Sequence, residues 1–194
     1  GYGFSRGDSP CSSMSLGGIF LDRDGTLISH VDYLHNPEEV LPLQGIAETL
    51  RALREAGYLL FLFTNQSGVG RGFFQMEVVH ACNSRMLELM KLSPEIFADV
   101  CIATERPDQP QLYRKPSPRF ILESIEKFDL SLEKSCVVGD SWSDVEAGLN
   151  AGIPSALVET GNPVDDDLRC KAAEHQVSVH TDLTAMFVEK LDLR

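Results

Sequence analysis

Short apolar runs and helix-spaced apolar positions alternate along most of this chain. Gly18-Ile19-Phe20-Leu21 is an apolar run that ends on an acid, and it predicts a strand over Gly18–Asp22. Ile46, Leu50 and Leu53 recur at helical spacing, which predicts a helix over Gly45–Ala56 stopped by Gly57. Tyr58–Thr64 is nearly all apolar, as expected of a strand covered on both faces. Further helices are predicted over Gln75–Lys91, Pro118–Phe128, Ser143–Ala151, Asp166–Glu174 and Leu183–Leu191. Further strands are predicted over Asp99–Ala103, Ser135–Gly139, Ser155–Val158 and Val177–His180. Gly68–Gly72 reads as a loop, as does the Pro-containing stretch up to Pro116.

This alternation predicts an α/β fold, a three-layer sandwich with a mainly parallel central sheet. Ligands bind such sheets beyond the carboxyl ends of the strands. The chemically capable residues fall there: Asp22 and Asp24 after the first strand, Thr64 and Asn65 after the second, Lys115 after the third and Asp140 after the fourth.

The bulk numbers narrow the classes. The chain has 194 residues and 43% hydrophobic residues, enough for one domain, expected over 16–194. Residues 1–15 are rich in Gly and Ser and read as a disordered leader or a non-native remnant, with Met14 a possible native start. They lack the charge and apolar core of a signal peptide. No apolar run approaches the roughly 18 residues needed to span a membrane. A formal net charge of −12 argues against a nucleic-acid partner. Cys11, Cys82, Cys101, Cys136 and Cys170 form no CxxC pair, which fits free thiols in a reducing cytoplasm. A monomer without membrane partners is expected.

Two carboxylates one residue apart repel each other unless something offsets them. A hard cation and a phosphoryl group would do so. The loops contain a nucleophile (Asp22), a proton donor and acceptor two residues on (Asp24) and a further acid to complete a Mg²⁺ site with Asp22 (Asp140). Lys115 and the Thr64 hydroxyl can stabilise a transferring phosphoryl group. The motif loops also hold Arg23, Arg71, Arg106, Arg114 and Lys115, read as a positive funnel for a phosphorylated small molecule.

Asp-x-Asp-Gly-Thr, then Thr, then Lys, then Gly-Asp-x3-Asp resembles the motif order of haloacid-dehalogenase-type phosphatases. Asp22-Arg23-Asp24-Gly25-Thr26, Thr64-Asn65-Gln66-Ser67-Gly68, Arg71-Gly72 and Arg114-Lys115-Pro116 are most similar to the D-glycero-D-manno-heptose 1,7-bisphosphate phosphatases and the related histidinol-phosphate phosphatases. The resemblance covers about residues 16–161. It implies Asp22 as nucleophile and metal ligand, and Asp24 as general acid/base whose backbone carbonyl also meets the metal. It implies Asp140 as metal ligand, and Thr64 and Lys115 as phosphoryl-binding residues. Arg114, Asn65, Gln66, Ser67, Asp32 and Tyr33 are implied substrate contacts, and Arg71 in the Gly68–Gly72 loop is read as aimed at the site to bind substrate.

The chain departs from that pattern in two places. Bacterial heptose enzymes carry a Cys-x-His and Cys-x-Cys zinc loop where this chain reads Cys101-Ile102-Ala103 and Gln111-Leu112-Tyr113. One cysteine cannot build a structural zinc site, so no zinc is expected, and packing with Pro107 and Pro110 is expected to hold the loop. Ser141 stands where relatives often have Lys, and Arg106 is a candidate substitute. The spans from Asp24 to Thr64 and from Thr64 to Lys115 are largely consumed by predicted elements. They leave no room for an inserted cap of about 60 residues or more.

Other readings are plainer. Asp144 fits a first-turn acid facing the helix dipole, or a residue behind the metal. Gly68-x-Gly70-x-Gly72 lacks the Gly-Lys-Ser/Thr of a P-loop. Trp142 fits packing over its helix, His30 is a candidate pocket wall, and Glu38, Glu39 and Asp165–Asp167 fit solvated surface. A signalling receiver domain is disfavoured because its phosphorylated Asp ends the third strand, which here ends Cys101-Ile102-Ala103-Thr104. A DNA 3′-phosphatase lacks the basic stripe it needs.

Overall fold

The structure, a computed structural model, describes residues 15–191. The expected leader, Ser15 apart, lies outside the described residues. Strands β1 (Gly18–Leu21), β2 (Leu59–Asn65), β3 (Asp99–Ala103), β4 (Cys136–Gly139), β5 (Ser155–Val158) and β6 (Ser178–His180) form one sheet. Their order is β3-β2-β1-β4-β5-β6, and every pairing is parallel.

The helices are α1 (Ile46–Glu55), α2 (Ser67–Gly70), α3 (Met76–Met90), α4 (Arg119–Phe128), α5 (Trp142–Ala151), α6 (Asp166–Glu174) and α7 (Leu183–Leu191). The alternation of side chains across β1 explains the layers. Ile19 and Leu21 face one core with Leu50 and Leu53 of α1, Met86 of α3 and Met186 of α7. Phe20 faces the other core with Phe120 and Ile121 of α4 and Ala147 of α5. There Phe20 stacks on Phe61 at 4.6 Å and meets Phe120 edge-on at 5.8 Å. Each such fully buried apolar side chain contributes about 1.5–3 kcal/mol.

Chain order reverses at β1. From β1 the chain builds outward through β2 and β3, then crosses back to place β4 on the other side of β1. The crevice beyond the carboxyl ends of β1 and β4 is therefore the ligand position this topology favours.

One local expectation is corrected. Gly68–Gly72 is not wholly a loop: Ser67–Gly70 closes a helical turn in which Arg71 N–H donates to the Ser67 carbonyl at 2.9 Å. The Phe74 ring presses on Gly68, and this packing overrides the low helix propensity of glycine. Single 3₁₀ turns also form at Pro37–Glu39 and Pro94–Ile96, which periodicity cannot register. Between β1 and α1 the chain is otherwise held by short turns and two isolated bridges, Asp24 to Ile28 and Ile28 to Pro42.

Candidate active site

A pocket of about 320 Å³ opens at the predicted edge, lined by Asp22, Asp24, Asn65, Gln66, Lys115, Asp140 and Asp144 among others. Asp22 follows β1, and its backbone N–H donates to the Val138 carbonyl of β4 at 3.1 Å. Lys115 reaches it from the far side of β2. Its ammonium donates to Asp22 Oδ1 at 3.0 Å, to Asp144 Oδ1 at 2.6 Å and to the Phe63 carbonyl at 2.6 Å. Those bonds use all the donors an ammonium has. Asn65 fixes the backbone beneath it: Lys115 N–H donates to Asn65 Oδ1 at 3.0 Å, and Asn65 Nδ2 donates back to the Lys115 carbonyl at 3.3 Å.

Asp140 packs against the turn after β5, which the sequence marks only as polar. Its Oδ2 accepts from the Asn162 N–H at 2.9 Å and from Asn162 Nδ2 at 3.0 Å. The Thr160 hydroxyl donates to the Gly25 carbonyl at 2.6 Å and ties this turn to the loop after β1. Gly25 has φ +82°, and a Cβ there would collide with Asp140, so a glycine is required on both counts. A Cβ on Gly161 would meet the same carboxylate. The position of this turn just past β5 is the one signal in the sequence that points to Asn162.

Asp22, Asp140 and Asp144 each offer an oxygen, and these lie within 4.8 Å of one another. Burial first, then the Asp144 charge, holds the Asp22 carboxyl well above its usual range, against the opposing pull of Lys115. Burial raises Asp140 as well. Asp144 also anchors a helix. Its Oδ2 accepts from Ser141 N–H at 3.1 Å and Ser141 Oγ at 2.9 Å, closing a capping box on α5. Five aspartates (Asp22, Asp24, Asp32, Asp140 and Asp144) and one lysine line the pocket. Such a donor set of hard oxygens with excess negative charge fits a divalent cation.

The positive funnel is corrected. Arg23 turns into the core and is fully buried, Lys115 is neutralised by two carboxylates, and Arg106 pairs with Asp108 at 3.2 Å. Arg71 and Arg114 remain as neighbours outside the pocket lining. Burial, then the Arg71 charge, holds the Arg114 guanidinium below its ordinary value. Tyr33 does line the pocket; it has φ 49° and meets Phe73 edge-on at 5.0 Å. Asp32 and Ser67 line the mouth, and so does His30, which contacts Asp32 at 2.9 Å. Thr64 is fully buried below the wall and accepts from Gln66 Nε2 at 2.8 Å. Trp142 packs over α6, with the Lys171 ammonium 4.4 Å from its ring centre.

The loop before Lys115 is held differently from expectation. Glu105 Oε2 accepts from the Tyr113 N–H at 3.0 Å and the Arg114 N–H at 2.7 Å. Gln111 Nε2 donates to the Gln109 carbonyl at 2.6 Å and the Arg106 carbonyl at 3.1 Å. Hydrogen bonds, not proline packing alone, therefore order the segment. Burial pushes the Cys101 thiol up to about 12. Glu105→Ala is expected to cost about 1–3 kcal/mol in urea denaturation, with Glu105→Gln losing less because it keeps an acceptor. Equal losses in both variants would contradict the clamp.

The chain is similar to several known proteins. A family model described as HAD-hydrolase-like matches residues 112–186. A D-glycero-D-manno-heptose-1,7-bisphosphate 7-phosphatase of Thermosynechococcus vestitus is 34% identical over 154 residues, spanning 74% of this chain and 79% of the relative. A D-glycero-beta-D-manno-heptose-1,7-bisphosphate 7-phosphatase of Rhodopseudomonas palustris is 36% identical over 153 residues, 75% of this chain and 84% of the relative. The crystal structure of a D,D-heptose 1,7-bisphosphate phosphatase from B. bronchiseptica, complexed with magnesium and phosphate, superposes with a TM-score of 0.79. It is 28% identical and the match covers 92% of this chain and 100% of that one. At 34% and 36% identity over 74% and 75% of its length, the chain belongs to the heptose-bisphosphate phosphatase family of haloacid-dehalogenase-like hydrolases.

Proposed function

We propose that this protein is a Mg²⁺-dependent phosphomonoester hydrolase that works through an aspartyl-phosphate on Asp22. The observation that carries the reading is the Asp22–Lys115 contact at 3.0 Å inside a cluster of carboxylates at the switch point of the sheet. Lys115 holds Asp22 Oδ1 at 3.0 Å, which leaves Oδ2 to attack phosphorus. Asp24 donates a proton to the leaving oxygen and later takes one from the water that cleaves the aspartyl-phosphate. Lys115 is the proposed phosphoryl-binding cation, while Thr64, buried behind the wall, is proposed to act through Gln66. Mg²⁺, when bound, neutralises phosphoryl and carboxylate charge; Asp22 and Asp140, with the Asp24 carbonyl, would hold it. Asp144 acts through Lys115 and the α5 cap. The zinc-free reading of the 101–113 loop is supported by the Glu105 clamp.

The substrate proposed is a small phosphorylated sugar, D-glycero-D-manno-heptose 1,7-bisphosphate with removal of the 7-phosphate. The names of the relatives support it, and Tyr33 in the pocket wall, with Arg71 and Arg114 outside the lining, are the proposed contacts for a second anionic group. Asn65 and Gln66 support the wall, and Ser67 and Asp32 are the proposed sugar contacts. Turnover of heptose bisphosphate, histidinol phosphate and other small phosphomonoesters with Mg²⁺ tests this choice. Preference for histidinol phosphate would replace the heptose assignment and keep the chemistry.

The Asp22 and Asp140 shifts give the metal a pH signature. Both carboxyls are raised, so the folded protein retains protons that the unfolded chain has released. Their contribution is present at low pH and is lost as pH rises from the ordinary value of 3.8 through the folded values. A cation offsets the repulsion that then appears. The rise in Tm on adding Mg²⁺ is expected to be larger near pH 7 than near pH 4. A larger rise at the lower pH would contradict the charge argument.

A further inference from the structure

Arg23 is the largest fully buried side chain among the described residues. A buried guanidinium is costly unless its donors are met. Nη1 donates to Asn83 Oδ1 at 2.9 Å. Nη2 donates to Asp24 Oδ1 at 3.3 Å and Oδ2 at 3.2 Å, and Nε reaches Oδ1 at 3.4 Å. Asn83 lies on α3, packed into the core through Val79, Cys82, Met86 and Met90. From the other side, Gln66 Nε2 donates to Asp24 Oδ2 at 3.0 Å while also holding Thr64. The Asp24 side chain keeps 19% of its surface open, toward the pocket. Lys115, not Arg23, contacts Asp22.

From this geometry, and resting on the reading of Asp24 as the proton donor, we infer that Asn83 and Arg23 are a positioning relay for proton transfer. Helix α3 sets Asn83, Asn83 sets the guanidinium, and the guanidinium with Gln66 sets the Asp24 carboxyl. Neither Asn83 nor Arg23 lines the active-site pocket, so both act through Asp24 and are not catalytic residues themselves. In the step they serve, the bond from phosphorus to Asp22 forms and the bond from phosphorus to the leaving oxygen breaks. The Asp24 O–H bond breaks as its proton passes to that oxygen. A displacement of about 1 Å in the donor is enough to slow such a step about 10²-fold. Attack by Asp22 does not depend on the relay.

Leaving groups separate these roles. An alkyl phosphate departs as an alkoxide that needs the proton, whereas p-nitrophenyl phosphate departs as a weak base that does not. Asn83→Leu is expected to slow single-turnover release of the alcohol about tenfold, part of the roughly 10²–10⁴-fold that acid–base catalysis supplies. The burst of p-nitrophenol is expected to change less than about twofold. Asn83→Asp keeps the acceptor and is expected to restore most of the loss. Arg23→Lys keeps the charge without the fork, and is expected to show the same selective loss if Asn83→Leu does not fold. Equal loss on both substrates, or a failure of Asn83→Asp to restore, overturns the relay. Asp24→Asn is the control for the reading beneath it. If that variant shows no leaving-group dependence, Asp24 is not the donor and both fail. If it does while Asn83→Leu does not, the relay alone fails.

Discussion

Asp22→Asn is expected to abolish turnover of every phosphomonoester, by about 10⁴-fold or more, as loss of a nucleophile does. The change removes one charged oxygen and leaves the volume of the side chain almost intact. Its amide cannot form an acyl phosphate by attack on phosphorus. The variant is also expected to be more stable than the parent in metal-free buffer. Burial and the charges of Asp144, Asp140 and Asp24 all work against an ionised Asp22, so removing that charge relieves the cluster. Single-turnover kinetics and thermal denaturation with and without Mg²⁺ check both halves. An inactive variant that is also unfolded would leave the nucleophile role unsupported; an inactive variant with a higher metal-free Tm supports it. Residual turnover near the parental rate would remove Asp22 from the mechanism.

Lys115→Met is expected to damage both stability and rate. The ammonium is 3% exposed and makes its bonds to Asp22, Asp144 and the Phe63 carbonyl. Without it, two carboxylates face each other across an apolar side chain, and a buried carbonyl loses its donor. Breaking a buried pair from one side costs about 3–5 kcal/mol. For a chain of this size that corresponds to a fall of roughly 6–20 °C in Tm. The rate is expected to fall about 10²–10³-fold, the usual loss when one stabilising charge leaves a developing oxyanion. Adding Asp144→Asn in the same chain is expected to recover part of the stability and none of the rate, because it removes the repulsion without restoring the cation. A double-mutant cycle measures this coupling. Strict additivity would show that the 2.6 Å contact between Lys115 and Asp144 carries no energy.

Much of the fold is legible in the sequence because its strands are covered on both faces. A run such as Leu59–Phe63 is apolar throughout, and Ile46, Leu50 and Leu53 mark α1 at helical spacing. The ends of those elements place Asp22, Asp24, Thr64, Asn65, Lys115 and Asp140 on one edge from local pattern alone. The α2 turn is not legible, because glycine-rich segments carry no period and the close approach of the Phe74 ring to Gly68 is a tertiary contact. Glu105 and Asn83 are hidden for a different reason. Each is an ordinary polar residue in sequence, and its importance lies in partners distant along the chain or in the backbone N–H groups it meets.

The side-chain directions decided the rest. A position in a motif loop says that Arg23 is near the phosphoryl site, and charge counting alone assigns it to the funnel. The turn after β1 instead aims it into the core, where Asn83 and Asp24 meet its donors. Asp144 is equally open in sequence to a helix-cap or a metal-side reading, and its two oxygens serve the α5 cap and Lys115 separately. The sequence by itself determined the class of sheet, the edge that bears the chemistry, and the acids and cation in it, because periodicity and strand ends are local properties. Only the tertiary structure decided which charges face the pocket, which neutralise one another and which support the proton donor from behind. Those depend on distances between segments that lie far apart along the chain.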